Sequence, residues 1–488
     1  MRVLASAFLV TAVSVLASCG GDSGSAPTDA AAMHVVRMTP AARSVSADRG
    51  MVSLLFDRPV RRESVVAGRS LHVFARVGGS VRGGVAFADD DRAVVFTPER
   101  PFAAGEIVTV LVSHDVQGAD GVPLGPGGFS AQFWTRAAAA PASFVEIERH
   151  STRPSSFVPS RAYGGQATDL DGDGDADLAI VNEDSADVVV LRNGGAGSFV
   201  PTGERFAVGE RASPSEAGDF DRDGATDMAV VNIAAGTVSI LLGRGDGGFR
   251  PAQVLAVGQT PRGVAGLDVD GDADLDLAVA TFDTDDVAIL VNDGGMFRVA
   301  SRVDSGLRGE WAIAAADMDE DGLMDLVVGA QDSAAVGILR NLGNGTFSVG
   351  GRQDAGGRPW MLVMGDIDGD GHDDVAVVNG LSNTAAVLRG DGRGGLGPAA
   401  VQQVDPFALA SDLGDLDGDG DLDWLTSSYS GDWRLFENRG GTLVTAQELA
   451  PRQAASCALL FDADGDGDLD LALVDEEADE VILMRNGG

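Results

Sequence analysis

The chain has 488 residues, room for two or three domains, and its 44% hydrophobic content excludes a chain disordered throughout. It carries 74 acidic residues against 35 basic ones, with 67 glycines and a net charge of -39. Coulomb repulsion at that charge opposes encounters with DNA, RNA or anionic lipid headgroups, so nucleic acid is excluded as a partner.

In chain order, Arg2 precedes an apolar run, VLASAFLVTAVSVLA, that is too short to span a bilayer and suits a secretory signal. It ends in Leu16-Ala17-Ser18-Cys19-Gly20, which resembles the bacterial lipobox. The resemblance implies a signal peptide over residues 1–19 and lipidation of Cys19. With glycine rather than aspartate after the cysteine, it also implies an outer-membrane address, at the periplasmic or the cell-surface face. Residues 20–32, GGDSGSAPTDAAA, read as a flexible tether, so the membrane is met through the lipid anchor alone. The second cysteine, Cys457, lies in the apolar run SCALLF. With Cys19 acylated it has no disulfide partner, and it reads as a small buried hydrophobe.

Residues 33–136 hold short alternating runs, MVSLLFDRPV, SLHVFARV, GGVAFA, RAVVFTP and EIVTVLVSHDV, split by Gly, Pro and Asp turns. That spacing predicts an antiparallel β-sandwich. The order of VSLLFDRPV, AVVFTPERPFAAGEIVTVLV, DVQGADGVPLG and FSAQFWT resembles bacterial Ig-like domains of the surface-layer type, which implies a spacer or stalk. AAAAPAS at 137–143 reads as a linker.

From residue 144 to 488 one pattern recurs seven times: DLDGDGDAD from Asp169, DFDRDGATD from Asp219, DVDGDADLD from Asp268, DMDEDGLMD from Asp317, DIDGDGHDD from Asp366, DLDGDGDLD from Asp415 and DADGDGDLD from Asp462. Successive starts are 50, 49, 49, 49, 49 and 47 residues apart. Each loop leads into an apolar strand such as LAIVN, then a polar turn, a second strand such as DVVVLRN, and a glycine-rich turn that opens another. A run of small apolar residues precedes each loop, as in AIAAA at 312–316. Four short strands per fifty residues predict an all-β fold, a seven-bladed β-propeller behind the sandwich. The seventh repeat stops before its outer strand, and PASFVEIERH around Phe144 is expected to supply it. Phe144 precedes its loop by 25 residues rather than 19 or 20, so a small insertion near 150–158 is expected.

Four or five carboxylates within nine residues repel one another unless a hard divalent cation reverses the sign. Positions one, three, five and nine are aspartate in every loop. The expected ligands are Asp169, Asp171, Asp173 and Asp177; Asp219, Asp221, Asp223 and Asp227; Asp268, Asp270, Asp272 and Asp276; and Asp317, Asp319, Asp321 and Asp325. The later loops offer Asp366, Asp368, Asp370 and Asp374; Asp415, Asp417, Asp419 and Asp423; and Asp462, Asp464, Asp466 and Asp470. The carbonyl of position seven and water complete each set, for up to seven Ca²⁺. An EF-hand is excluded, because position twelve is Ile180, Val230, Val279, Val328, Val377, Thr426 or Leu473 and never glutamate. Thirty-four of the 74 acids lie in these loops, and seven calcium ions would bring -39 to -25.

These repeats resemble the FG-GAP and VCBS repeats of integrin-α-type propellers. The resemblance implies calcium on one face and ligands on the other. The third loop departs from the pattern with Ala273 where glycine is expected. Six residues before the loops stand Tyr163, Ser213, Arg262, Trp311, Trp360, Leu409 and Ser456. Of these, Tyr163, Arg262, Trp311 and Trp360 are the candidate ligand-binding residues, free to stack on sugars or grip a peptide, or else to plug the channel. Tyr429 and Trp433 are weaker candidates on the same face. None of His34, His72, His114, His150 and His372 falls in a zinc or nucleophile motif, and no phosphate loop is present. The expected function is a monomeric, cell-envelope binding or adhesion module for a glycan or protein, not an enzyme. A polysaccharide lyase and a structural envelope component are the alternatives.

Overall fold

The computed structural model describes residues 32–155, 157–451 and 453–487. The signal peptide, Cys19 and all but the last residue of the tether lie outside the described residues. Among the described residues no helix is long and apolar enough to cross a membrane. Residues Ala32–Gly488 form one compact unit.

The front part is a sandwich of two sheets. One runs Val35–Thr39, Val52–Phe56, Ala93–Pro98, Gly83–Ala88; the other runs Val45–Ser46, Phe129–Thr135, Ile107–Val112, Leu71–Ala75, Gly79–Ser80. Val52, Leu54 and Phe56 alternate inward, as a strand with one buried face must, and pack on Phe96, Val110 and Phe133. Leu71–Ala75 breaks the alternation, being buried at every position. Its outer face is covered too, since Phe74 and Leu111 join a cluster with Phe220 and Leu275 of the repeats.

Each repeat forms one four-stranded antiparallel sheet. The first spans Ala162–Thr168, Asp177–Asn182, Asp187–Asn193 and Phe199–Ala207, with the acidic loop between its first two strands. Among the described residues there are seven such sheets, and their first strands pack in cyclic order, the last against the first. The second strands, Asp177–Asn182 through Asp470–Asp475, are buried at every position. A sheet covered on both faces has no solvent side, so its central strand reads as an unbroken apolar run. Clusters such as Leu178 with Phe461, and Met228 with Val188, join each sheet to the next.

The seventh sheet is completed from the front of the repeat region. Phe144–Ser151 pairs antiparallel with Glu480–Asn486, Phe144 opposite Asn486, as the sequence led us to expect. Pairing removes the free edge. The extra residues after Ser151 form a loop tied to Asp479, whose carboxylate accepts the N–H groups of Ser160 and Arg161 and pairs with Arg153 at 2.7 Å.

Two expectations require correction. The Ig-like domain is no outstretched stalk but is packed on the acidic-loop face of the repeats. Trp433 does not lie on the mouth: it opens the strand Trp433–Asn438, is fully buried in the core, and donates its indole N–H to the Cys457 carbonyl at 3.0 Å.

Candidate functional site

The acidic loops share one construction. The first aspartate folds back on its own loop: Asp169 accepts the N–H groups of Gly172 and Gly174 at 2.7 and 2.9 Å. Asp366 and Asp462 do the same with Gly369, Gly371, Gly465 and Gly467. These turns need a left-handed backbone, with φ of 78° at Gly172 and 100° at Gly174. Ala273 adopts the same conformation at φ 67°, and its N–H reaches Asp268 at 2.8 Å. The third loop therefore closes like the others, with alanine bearing a strain of about 1 kcal/mol.

The ninth aspartate is buried in every repeat and bonded on both oxygens in six of the seven, Asp325 using only one. Asp177 accepts the N–H of Leu170 at 3.2 Å and of Asn193 at 2.8 Å. A backbone N–H at the end of the third strand meets the ninth aspartate in every repeat. In the loops from Asp169, Asp219, Asp268 and Asp366, carboxylate oxygens of positions one, three and nine lie within 4.8 Å of one another. Position five stands outside those groups. In the loop from Asp317 the group is Asp317, Asp319 and Asp321.

Burial, ahead of crowding by neighbouring carboxylates, pushes Asp177 up to about 7 and Asp227, Asp325 and Asp423 up to about 8. Buried oxygens of Asp270, Asp319, Asp325 and Asp415 have no hydrogen-bond partner. Converging, partly orphaned carboxylate oxygens, with no nitrogen or sulfur donor among them, fit a hard cation, and the donor set fits calcium.

Sequence reading missed two companions of these loops. Arginines of the repeats pair with the third aspartate: Arg192 with Asp171 at 3.0 Å, Arg250 with Asp221 at 3.1 Å, Arg340 with Asp319 at 3.1 Å, Arg389 with Asp368 at 3.4 Å and Arg485 with Asp464 at 2.8 Å. Asparagines at the third strand's end, in LRN, LVN, FEN and MRN, link one repeat to the preceding loop. Both recur in the sequence, but only the fold shows what they reach.

The Ig-like domain and the linker touch every acidic loop. In six of them a glycine carbonyl accepts the bond: Arg100 donates to Gly172 at 3.2 Å, His114 N–H to Gly271 at 2.7 Å and Ser130 N–H to Gly322 at 2.7 Å. Arg43 donates to Gly371 at 3.0 Å, Arg136 to Gly418 at 2.7 Å and Ala138 N–H to Gly467 at 2.6 Å. At the remaining loop Ser80 donates to Asp219 at 2.6 Å.

On the opposite side, the four mouth residues meet. The Arg262 guanidinium lies 3.9 Å from the Trp311 ring centroid, Trp311 is 4.5 Å from Trp360, and the Trp360 indole N–H donates to Tyr163 Oη at 3.3 Å. Residues of the first, third, fourth and fifth repeats thus bridge the channel, each half-buried. Below them is a cavity of about 340 Å³. All seven residues of that register line it, and its floor is the Ig-like sheet, with Arg76 and Trp134. Arg76 pairs with Asp412 at 2.7 Å, and burial pushes the lining carboxyl of Glu216 up to about 8. Cys457 also borders the cavity, its thiol pushed up to about 12 by burial.

The mouth has an apolar rim that sequence reading overlooked. Leu381 is 45% exposed and Phe407 44%. Phe407 N–H bonds to Asn383, and Gly380 lies against the Trp360 ring. Tyr429 stands beside this rim, its hydroxyl on Glu477.

No curated protein matches the chain in sequence. Among solved structures, BBS1N in complex with ARL6DN shares 14% identity at a TM-score of 0.52, covering 70% of this chain and 96% of that one. An Agrocybe aegerita lectin that recognises non-reducing terminal N-acetylglucosamine shares 16% identity at 0.42, covering 87% and 99%. Virginiamycin B lyase from Staphylococcus aureus shares 11% at 0.45, covering 70% and 99%. Identities this low show the fold alone, and only the first structure carries weight even there. The bacterial Ig-like domain model matches residues 29–135, and the FG-GAP-like repeat model matches six overlapping windows: 169–230, 219–279, 268–328, 317–377, 366–426 and 415–473. With those windows covering more than half of its length, the chain belongs to the FG-GAP-like repeat family, preceded by a bacterial Ig-like domain.

Proposed function

We propose that this chain is a non-catalytic binding module of the cell envelope: a seven-bladed propeller stabilised by up to seven calcium ions, monomeric and held by a lipid on Cys19. Its ligand, a glycan or a protein segment, docks on the mouth formed by Tyr163, Arg262, Trp311 and Trp360. The observation that carries this reading is the contact chain of those four residues, drawn from four repeats into one half-buried platform. Aromatic faces bind the apolar face of a sugar ring or a peptide side chain, and the Arg262 guanidinium adds a donor. The exposed rim of Leu381 and Phe407 widens the platform. The acidic-loop face is covered by the Ig-like domain, which leaves the mouth as the open end.

In the loops the converging carboxylates, those of positions one, three and nine in four loops and those of Asp317, Asp319 and Asp321 in another, would hold calcium, which supplies positive charge and cross-links the loop. The chain's own part is to hold those oxygens together through backbone N–H bonds.

The test is an array of glycans and cell-wall fragments probed with the full chain and with Trp311→Ala and Trp360→Ala, each with calcium and with chelator. Binding by the parent chain that falls at least tenfold in both variants supports the reading. Equal binding by the three chains refutes the mouth as the site, and formation of unsaturated sugar ends would show a lyase.

A further inference from the structure

We infer that calcium binding and docking of the Ig-like domain are positively coupled, so that the domain is a calcium-dependent cap over the acidic-loop face. This rests on the calcium reading above. The direction of the coupling follows from which atoms the cap uses. Its bonds go chiefly to outward-facing glycine carbonyls, at Gly172, Gly271, Gly322, Gly371, Gly418 and Gly467. All six have left-handed φ, from 73° to 94°. Those carbonyls face the cap only while each loop is wrapped, and the wrap is set by the first aspartate turning onto its own loop's N–H groups.

The carboxylates point into the loop and the carbonyls point out, so ion and cap use different atoms of one conformation. The exceptions are few: Ser80 on Asp219 at 2.6 Å, Arg43 on Asp317 at 3.5 Å and Arg136 on Asp415 at 4.0 Å. Without the ion, repulsion among the carboxylates opens the loops and removes the carbonyls from register. By linkage, whatever calcium gives the cap, the cap returns to calcium.

The experiment has two arms on the full chain. Calorimetry first measures calcium uptake, then hydrogen exchange is followed in calcium and in chelator. Chelation is expected to release the interface amides of His114, Ser130 and Ala138 at least tenfold, while Val108 and Val110 in the Ig-like core stay protected. The second arm uses Gly127→Leu, which changes no charge. A Cβ at Gly127 would stand 2.6 Å from Gly343 Cα and 2.7 Å from Leu323 Cδ2, so leucine wedges the cap off its loop. Its calcium affinity is expected to fall about fivefold or more. Uptake of calcium with interface amides indifferent to it, or an unchanged affinity in the wedged variant, overturns the coupling alone. No uptake of calcium overturns the coupling together with the reading beneath it.

Discussion

The side-chain amide of Asn193 donates a 2.8 Å hydrogen bond to the backbone carbonyl of Ala463, 270 residues away. The bond joins the first repeat to the last repeat's acidic loop. Asn292, Asn438 and Asn486 reach the Phe220, Ile367 and Leu416 carbonyls of the repeat before them in the same way. Gly243 and Gly390 occupy the equivalent place in the second and fifth repeats, so those seams lack the link.

Asn193→Ala should cost about 1–3 kcal/mol, because the buried Ala463 carbonyl loses its side-chain donor and the Gly195 N–H loses its acceptor. Urea unfolding at fixed calcium measures it, and a change under 0.5 kcal/mol would show the link to be idle.

Two aspartates of one loop should differ in kind. Asp227 accepts the N–H groups of Phe220 at 2.7 Å and Gly243 at 2.6 Å, deep in the sheet, whereas Asp223 is exposed. In chelator, Asp227→Ala is expected to destabilise by about 3 kcal/mol and Asp223→Ala by less than about 1 kcal/mol. Equal losses would mean that repulsion within the loop outweighs its hydrogen bonds.

Calcium removal should lower the melting temperature. A site at tenfold excess over its dissociation constant contributes about 1.4 kcal/mol, and several sites add. Scanning calorimetry with and without chelator reads the shift, and superimposable melts would contradict a structural role for the ion.

Glu216 predicts a pH dependence unrelated to the loops. Burial raises its folded-state value to about 8 from an ordinary 4.5. The folded state therefore keeps a proton that the unfolded state releases between those values. Stability present at low pH is lost as pH rises through the window, by at most about 1.4 kcal/mol per unit, and levels off above pH 8. Urea midpoints from pH 5 to 8 in calcium should fall less steeply in Glu216→Gln, and parallel profiles would place the titration elsewhere.

Ring closure makes a fifth prediction. Asp479 holds the loop after Ser151 through Ser160, Arg161 and Arg153, and is itself almost fully buried. Asp479→Ala leaves these groups unpaired, at a cost of about 3 kcal/mol or more. Chymotryptic cleavage after Phe157, which is 93% exposed in this loop, should accelerate relative to the parent chain. An unaltered digestion rate would show the loop to be held by its strand alone.

Much of the fold was legible because its signals are local. The spacing of the loops, the unbroken apolar second strands and the small residues of the first strands each follow from period and packing. The missing outer strand was legible because Phe144 repeats the phenylalanine that opens the fourth strands, as at Phe199 and Phe347. The mouth residues were found by register, because one position before each loop faces the axis in all seven repeats. Trp433 was misplaced because a tryptophan at the edge of a turn looks exposed until the neighbouring sheet covers it.

The sequence alone determined the repeat, its strands and the clustered carboxylates, because each is set by residues a few positions apart. Tertiary structure alone decided that the Ig-like domain lies over the acidic loops. It also decided that Arg262, Trp311, Trp360 and Tyr163 touch, and that asparagines bind the carbonyls of the preceding repeat. Those contacts join groups tens to hundreds of residues apart, and docking of a domain depends on surface shape and backbone carbonyls, which leave no periodic trace in side-chain order.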